Sequence, residues 1–116
     1  MSVTVGSHGN VPVVQVMGRV GDNETPGTPL LSETLRSVCR RSSGTVVVDI
    51  SGIQFLDSHG LGVLVFHNTI MERAGRQLIF LNTNRNKTAY MNRLFDCTNL
   101  ARIFAIVHSI EQVEPF

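Results

Sequence analysis

The chain has 116 residues, 42% hydrophobic and 16% charged, a globular composition and not a disordered one. That length fits one domain over residues 1–116, buries about two-thirds of the unfolded surface, and excludes an enzyme with a cleft between two lobes. Ten Lys and Arg against nine Asp and Glu give +1, and no basic run exceeds Arg40-Arg41, so we expect no nucleic-acid partner and no membrane-surface role.

The chain reads as alternating strands and helices. Gly6, Ser7, Gly9 and Asn10 suggest a turn between two short strands. Val13 to Val20 is β-branched and reads as a strand. Gly21 to Pro29 is the strongest loop signal. Thr28 is placed to cap a helix with Pro29 at its first position, and Leu31, Leu35 and Val38 recur at helical spacing up to about Arg41. Ser42-Ser43-Gly44 ends it, and Thr45 to Ile50 is a continuous apolar strand buried on both faces. A second helix carries Leu61, Leu64, Val65, Asn68 and Met71 on its inner stripe and closes at Ala74-Gly75. A strand over Gln77–Leu81 follows, then a helix over Asn86–Asp96 with Ala89, Tyr90, Leu94 and Phe95 inward. A strand over Ile103–Val107 and a helix beginning at Ser109 complete the order β-β-α-β-α-β-α-β-α. Short loops between such elements imply a mainly parallel sheet.

Chemistry-bearing motifs are few. Cys39 and Cys97 form no C-x-x-C, which excludes a zinc ribbon or a thioredoxin-like pair. The start, Met1 to Gly6, lacks a basic region followed by an apolar stretch, and the longest apolar run, Leu61 to Phe66, is far too short to span a bilayer. We therefore expect a cytoplasmic protein with reduced thiols. His59 and His67 lie eight apart on one helix and cannot share a metal, and neither His8 nor His108 falls in a ligand motif. Phosphate-loop, dinucleotide-fold and nucleophile-elbow motifs are absent. Asp57, Ser58 and His59 hold the residue types of a hydrolytic triad, but adjacent residues at a helix start diverge. We expect no enzyme activity, no cofactor and no metal.

Asp57-Ser58-His59-Gly60 sits between a strand and a helix. Asp57 or Ser58 can cap that helix, worth about 1 kcal/mol. A phosphate on Ser58 would also meet the positive helix end, adding about −1.5 to −2 charges.

Four stretches resemble the STAS domain of bacterial anti-sigma factor antagonists. They are Val14–Val20, ending in Gly18-Arg19-Val20; Val46–Ile53; Phe55–Leu64, similar to F-[LM]-D-S-[ST]-G-[LI]-x-x-L; and Gly75–Leu81. The resemblance implies an α/β fold with a mixed sheet of four or five strands and about four helices, packed mostly on one side. It also implies partner switching. The unphosphorylated form binds an anti-sigma factor serine kinase of histidine-kinase-like ATPase fold and frees a sigma factor. Phosphorylation of the motif serine, here Ser58, reverses this, and a serine phosphatase resets it. The implied partner-binding residues are Asp22, Asp57, Ser58, His59 and Leu61. We look for the docking surface in the 22–28 loop and on the second helix, at Leu61, His67 and Met71.

The chain departs from the family pattern at three places. Gly21 stands where an acid is frequent, and Asp22 follows it. His59 replaces a Ser or Thr, which leaves Ser58 as the motif's only hydroxyl. Asn99 replaces a glycine and tolerates the left-handed conformation of a turn. The competing functions are a non-switching STAS interaction module or scaffold subunit of a larger signalling or transport complex, whose serine need not be modified, and a nucleotide-binding or hydrolysing domain, for which the sequence supplies no phosphate loop and no metal carboxylate cluster.

Overall fold

Among the described residues, five strands form one sheet in the order β1-β2-β3-β4-β5. They are β1 Ser2–His8, β2 Val11–Val20, β3 Val46–Leu56, β4 Leu78–Leu81 and β5 Ala105–Val107. β1 runs antiparallel to β2, while β2 to β5 are parallel. The helices are α1 Thr28–Arg41, α2 Ser58–Arg73, α3 Tyr90–Cys97 and α4 Leu100–Ile103. The computed structural model describes residues 1–24 and 27–113; Thr25 and Pro26 of the expected 21–29 loop lie outside the described residues.

The two sheet faces are covered differently. Val14, Val16, Val46, Val48, Ile50 and Phe80 face the helices, where Leu31 and Leu35 of α1, Leu64 and Met71 of α2, Met91 of α3 and Leu100 of α4 complete the main core. Val11, Val47, Ile79 and Leu81 face the other way, beneath Val113 and Ile110 of a single 3-10 turn, Ile110–Gln112. Both faces of β3 are thus dry at Val46–Val48, which is why that run is apolar without alternation. The helices lie on one side, as the resemblance implied.

Several elements differ from the expected ones. The hairpin turn is Gly9-Asn10 alone, and Gly6 and Ser7 belong to β1. β3 does not stop at Ile50 but runs to Leu56, paired to β2 through two register shifts, irregularities that bend a strand without ending it. Its pairing with β4 ends at Asp49↔Leu81. There Asp49 Oδ1 accepts the Ser51 N–H at 3.0 Å, and Ser51 Oγ accepts the Thr83 N–H at 2.8 Å. Gly27, not Thr28, is the N-cap of α1, because the Thr28 hydroxyl is given to Asp22. α3 starts at Tyr90 instead of Asn86, since Asn86 Oδ1 takes the Thr88 N–H and holds a turn that competes with helix. Ile103 closes α4, and the last expected helix is the 3-10 turn, capped by Ser109. Asn99 lies at φ −94°, so nothing left-handed is asked of it.

Arg76, just before β4, closes the end of α1. Its guanidinium donates to Cys39 O at 2.7 Å, Ser42 Oγ at 2.9 Å and Gly44 O at 3.0 Å. These satisfy carbonyls that a helix end leaves open. Burial pushes the Cys39 thiol up, with Arg76 opposing, so this cysteine is a poor nucleophile. Arg76→Ala should cost about 2–3 kcal/mol, read as a lower urea midpoint at unchanged slope.

Candidate functional site

The site forms where β3 ends and α2 begins. Asp57 has extended backbone (φ −82°, ψ 180°) and is the N-cap of α2. One carboxylate oxygen accepts the Gly60 N–H at 2.8 Å, and the other accepts the Asp22 N–H at 3.1 Å. Asp57 therefore fastens the loop after β2 to the start of α2. The Gly60 N–H, the Asp22 N–H and the neighbouring His59 hold its carboxyl below the ordinary value of 3.8. Such a group stabilises the fold above the unfolded pKa and loses that contribution as pH falls through the folded one. The stability advantage of wild type over Asp57→Asn should thus shrink as pH drops below about 4, which urea titrations across pH would read.

Ser58 is the first residue of α2, exposed, and its hydroxyl makes no hydrogen bond among the described residues. The cap is Asp57's role, so Ser58 is free of it. His59, also exposed, places Nδ1 3.3 Å from Asp22 Oδ2. The other Asp22 oxygen accepts from the Thr28 hydroxyl. Asp22, Asp57, Ser58 and His59 are thus brought together, with Leu61 half-buried one turn on and packed on the main core. His59 faces Asp22 and Asp57 serves backbone N–H groups, so no triad geometry exists.

Two glycines make this junction possible. A Cβ on Gly21 would lie 2.4 Å from Asp57 Oδ2. A side chain there would push that carboxylate oxygen off the Asp22 N–H. A Cβ on Gly60 would lie 2.8 Å from Leu56 Cδ1 and 2.9 Å from Val20 Cγ1. The α2 backbone can approach the ends of β2 and β3 only because Gly60 is bare.

A family model described as "Mlab, STAS domain" matches residues 3–107. The chain belongs to the STAS-domain family. Solved structures agree on the fold. An anti-sigma factor antagonist from Mycobacterium paratuberculosis superposes on this STAS domain with TM-score 0.75 at 22% identity, covering 96% of this chain and 88% of that one. The anti-sigma factor antagonist SpoIIAA in its unphosphorylated form gives 0.64 at 13% identity, covering 96% of this chain and 92% of that one. The Bacillus cell fate determinant SpoIIAA in the phosphorylated form gives 0.64 at 13%, covering 96% of each chain. At these identities the likeness is one of fold.

The α2 surface of this STAS domain corrects one expectation. His67 and Met71 are buried at 5% and 2% exposure and cannot dock a partner. His67 Nδ1 bonds the Val63 carbonyl at 3.0 Å within the helix. The exposed apolar residues are instead Phe66, at 56%, and Ile70, at 45%. They share a helical face with His59 and Gly62, a line starting beside Ser58. The signal was present in the sequence as large apolar residues lying off the inner stripe. No helix among the described residues is long and apolar enough to cross a membrane. Nor do three or more His, Cys, Asp or Glu gather as a metal site among them.

Proposed function

We propose that this STAS domain is an anti-sigma factor antagonist whose switch is phosphorylation of Ser58. The observation that carries the reading is the division of labour at the start of α2. Asp57 supplies the helix cap, leaving the Ser58 hydroxyl exposed and without a hydrogen bond among the described residues. Ser58 stands one place past the N-cap, where a side chain has no capping part to play, so its hydroxyl is open to modification. In this reading the unphosphorylated form binds an anti-sigma factor serine kinase in the cytoplasm and frees a sigma factor. The kinase transfers a phosphoryl group to Ser58, the complex parts, and a serine phosphatase resets it. The domain acts by binding and not by catalysis.

The docking surface in this reading is the Ser58 corner with Asp22, His59 and the Phe66–Ile70 line of α2. Asp57 acts beneath it by holding loop and helix together, and Leu61 contributes its exposed edge. The test is retrieval of partners from lysate with wild type, Ser58→Ala and Ser58→Asp as baits, with mass spectrometry of what is bound. A serine kinase retained by the first two and lost by the third supports the reading. The same partner on all three overturns it and leaves a STAS interaction module that does not switch.

A further inference from the structure

A second cavity opens outside the carboxyl ends of β4 and β5, between the 82–88 loop, α3 and His108. Its volume is about 800 Å³, and it is lined by Asn84, Arg85, Lys87, Phe95, Asp96 and His108, among others. We propose that it binds a small organic phosphate carrying a ring or short apolar group.

The 82–88 loop that makes this wall is fixed by its own asparagines. Asn82, Asn84 and Asn86 each accept, through Oδ1, the backbone N–H two residues on, at 3.2, 3.0 and 3.0 Å. Asn82 is 1% exposed and donates to Asn92 Oδ1 at 2.7 Å. Asn92 in turn donates to the carbonyls of Asn84 and Asn86, both at 2.8 Å. Arg85 and Lys87 alternate with this ladder, so the loop that carries both cations is held before any ligand arrives. Neither cation pairs with a carboxylate among the described residues. His108 Nδ1 lies 3.1 Å from the Asn82 carbonyl, which only accepts, so the proton sits on Nδ1 and Nε2 is left free.

A count of spare groups names the ligand class. Arg85, Lys87 and the Asn84 amide offer donors, against two acceptors in the lining, the Asp96 carboxylate and His108 Nε2. The missing partner is therefore rich in acceptors and negative. A phosphate monoester, with three terminal oxygens, meets more of these donors than a carboxylate with two. Phe95 and Ile106 supply the apolar part of the wall, which gives an organic substituent somewhere to lie.

The experiment is an amide-resolved NMR titration with phenyl phosphate, benzoate and inorganic phosphate, each to about 10 mM, the range that covers a millimolar site. Phenyl phosphate should give saturable shifts on residues 83–88, Phe95 and His108, at lower concentration than the other two. The double variant Arg85→Gln/Lys87→Gln, exposed on the loop and remote from Ser58, should bind it at least about tenfold more weakly. No saturable shift, equal binding by the double variant, benzoate binding as tightly as phenyl phosphate, or shifts centred on Ser58–Gly60 would each overturn the assignment.

Discussion

On the proposed function, Ser58→Asp should weaken binding to the anti-sigma partner at least tenfold, a loss of about 1.4 kcal/mol or more, while Ser58→Ala should bind as wild type does. The asymmetry follows from the site. The Ser58 hydroxyl makes no hydrogen bond among the described residues and is exposed, so removing it disturbs nothing internal and changes stability by under about 0.5 kcal/mol. A carboxylate in its place adds a second negative group beside Asp57, which is already ionised well into the acid range. Among the described residues of the corner, the exposed His59 ring is already turned to Asp22. In a docked complex the added charge loses water without a new partner, the costly case for a buried ion. Phosphoserine, at about −1.5 to −2 charges, should act more strongly in the same direction. Titration calorimetry with the partner retrieved by the wild-type bait reads this directly. Equal affinities for the two variants would remove Ser58 from the interface and end the switching reading.

Gly60→Ala should lower the melting temperature by about 5–15 °C, whereas Gly62→Ala, two residues on, should raise it slightly. The Gly60 methyl would meet Leu56, Val20 Cγ1 and, at 3.1 Å, the Val20 carbonyl oxygen, with backbone and core on the receiving side. Overpacking of that kind costs about 1–3 kcal/mol or more, and a chain of this size loses about 3–6 °C per kcal/mol. Gly62 is exposed, with nothing within 4 Å of an added Cβ, so alanine there gains helix propensity worth up to about 1 kcal/mol. Opposite signs from one substitution type on one helix separate close approach from propensity. Calorimetric scans of the two variants suffice, and a neutral Gly60→Ala would show that α2 can stand off from β2 and β3.

The sheet and its helices were legible because apolar spacing and turn residues agree along most of the chain. Leu31, Leu35 and Val38 are buried on α1 as their spacing required, and the run after Thr45 is buried on both faces. Boundaries failed where side chains compete with backbone. Asn86 holds a turn where a helix was expected to start, and Ser51-Gly52 reads as a break although β2 keeps β3 in register past it. The Asp57–Ser58 junction was legible as a strand-to-helix signal, but the choice of Asp57 as the cap depended on Gly60 and Asp22 meeting its two oxygens. The exposed line on α2 was misplaced because His67 and Met71 fit the same helical spacing as the inner stripe; only packing against the sheet decides which turn faces water.

β1 carries a liability of its own. It is the outermost strand, paired only to β2, and its residues Ser2 to His8 include no lysine, acid or proline. Val5 on it is 55% exposed. Nothing along that border repels another copy of the same border, and unpaired ladder groups invite one. Concentrated solutions of the folded domain are thus expected to self-associate through this edge before any part of the core opens, and a single lysine on its outward face is the economical remedy for solubility.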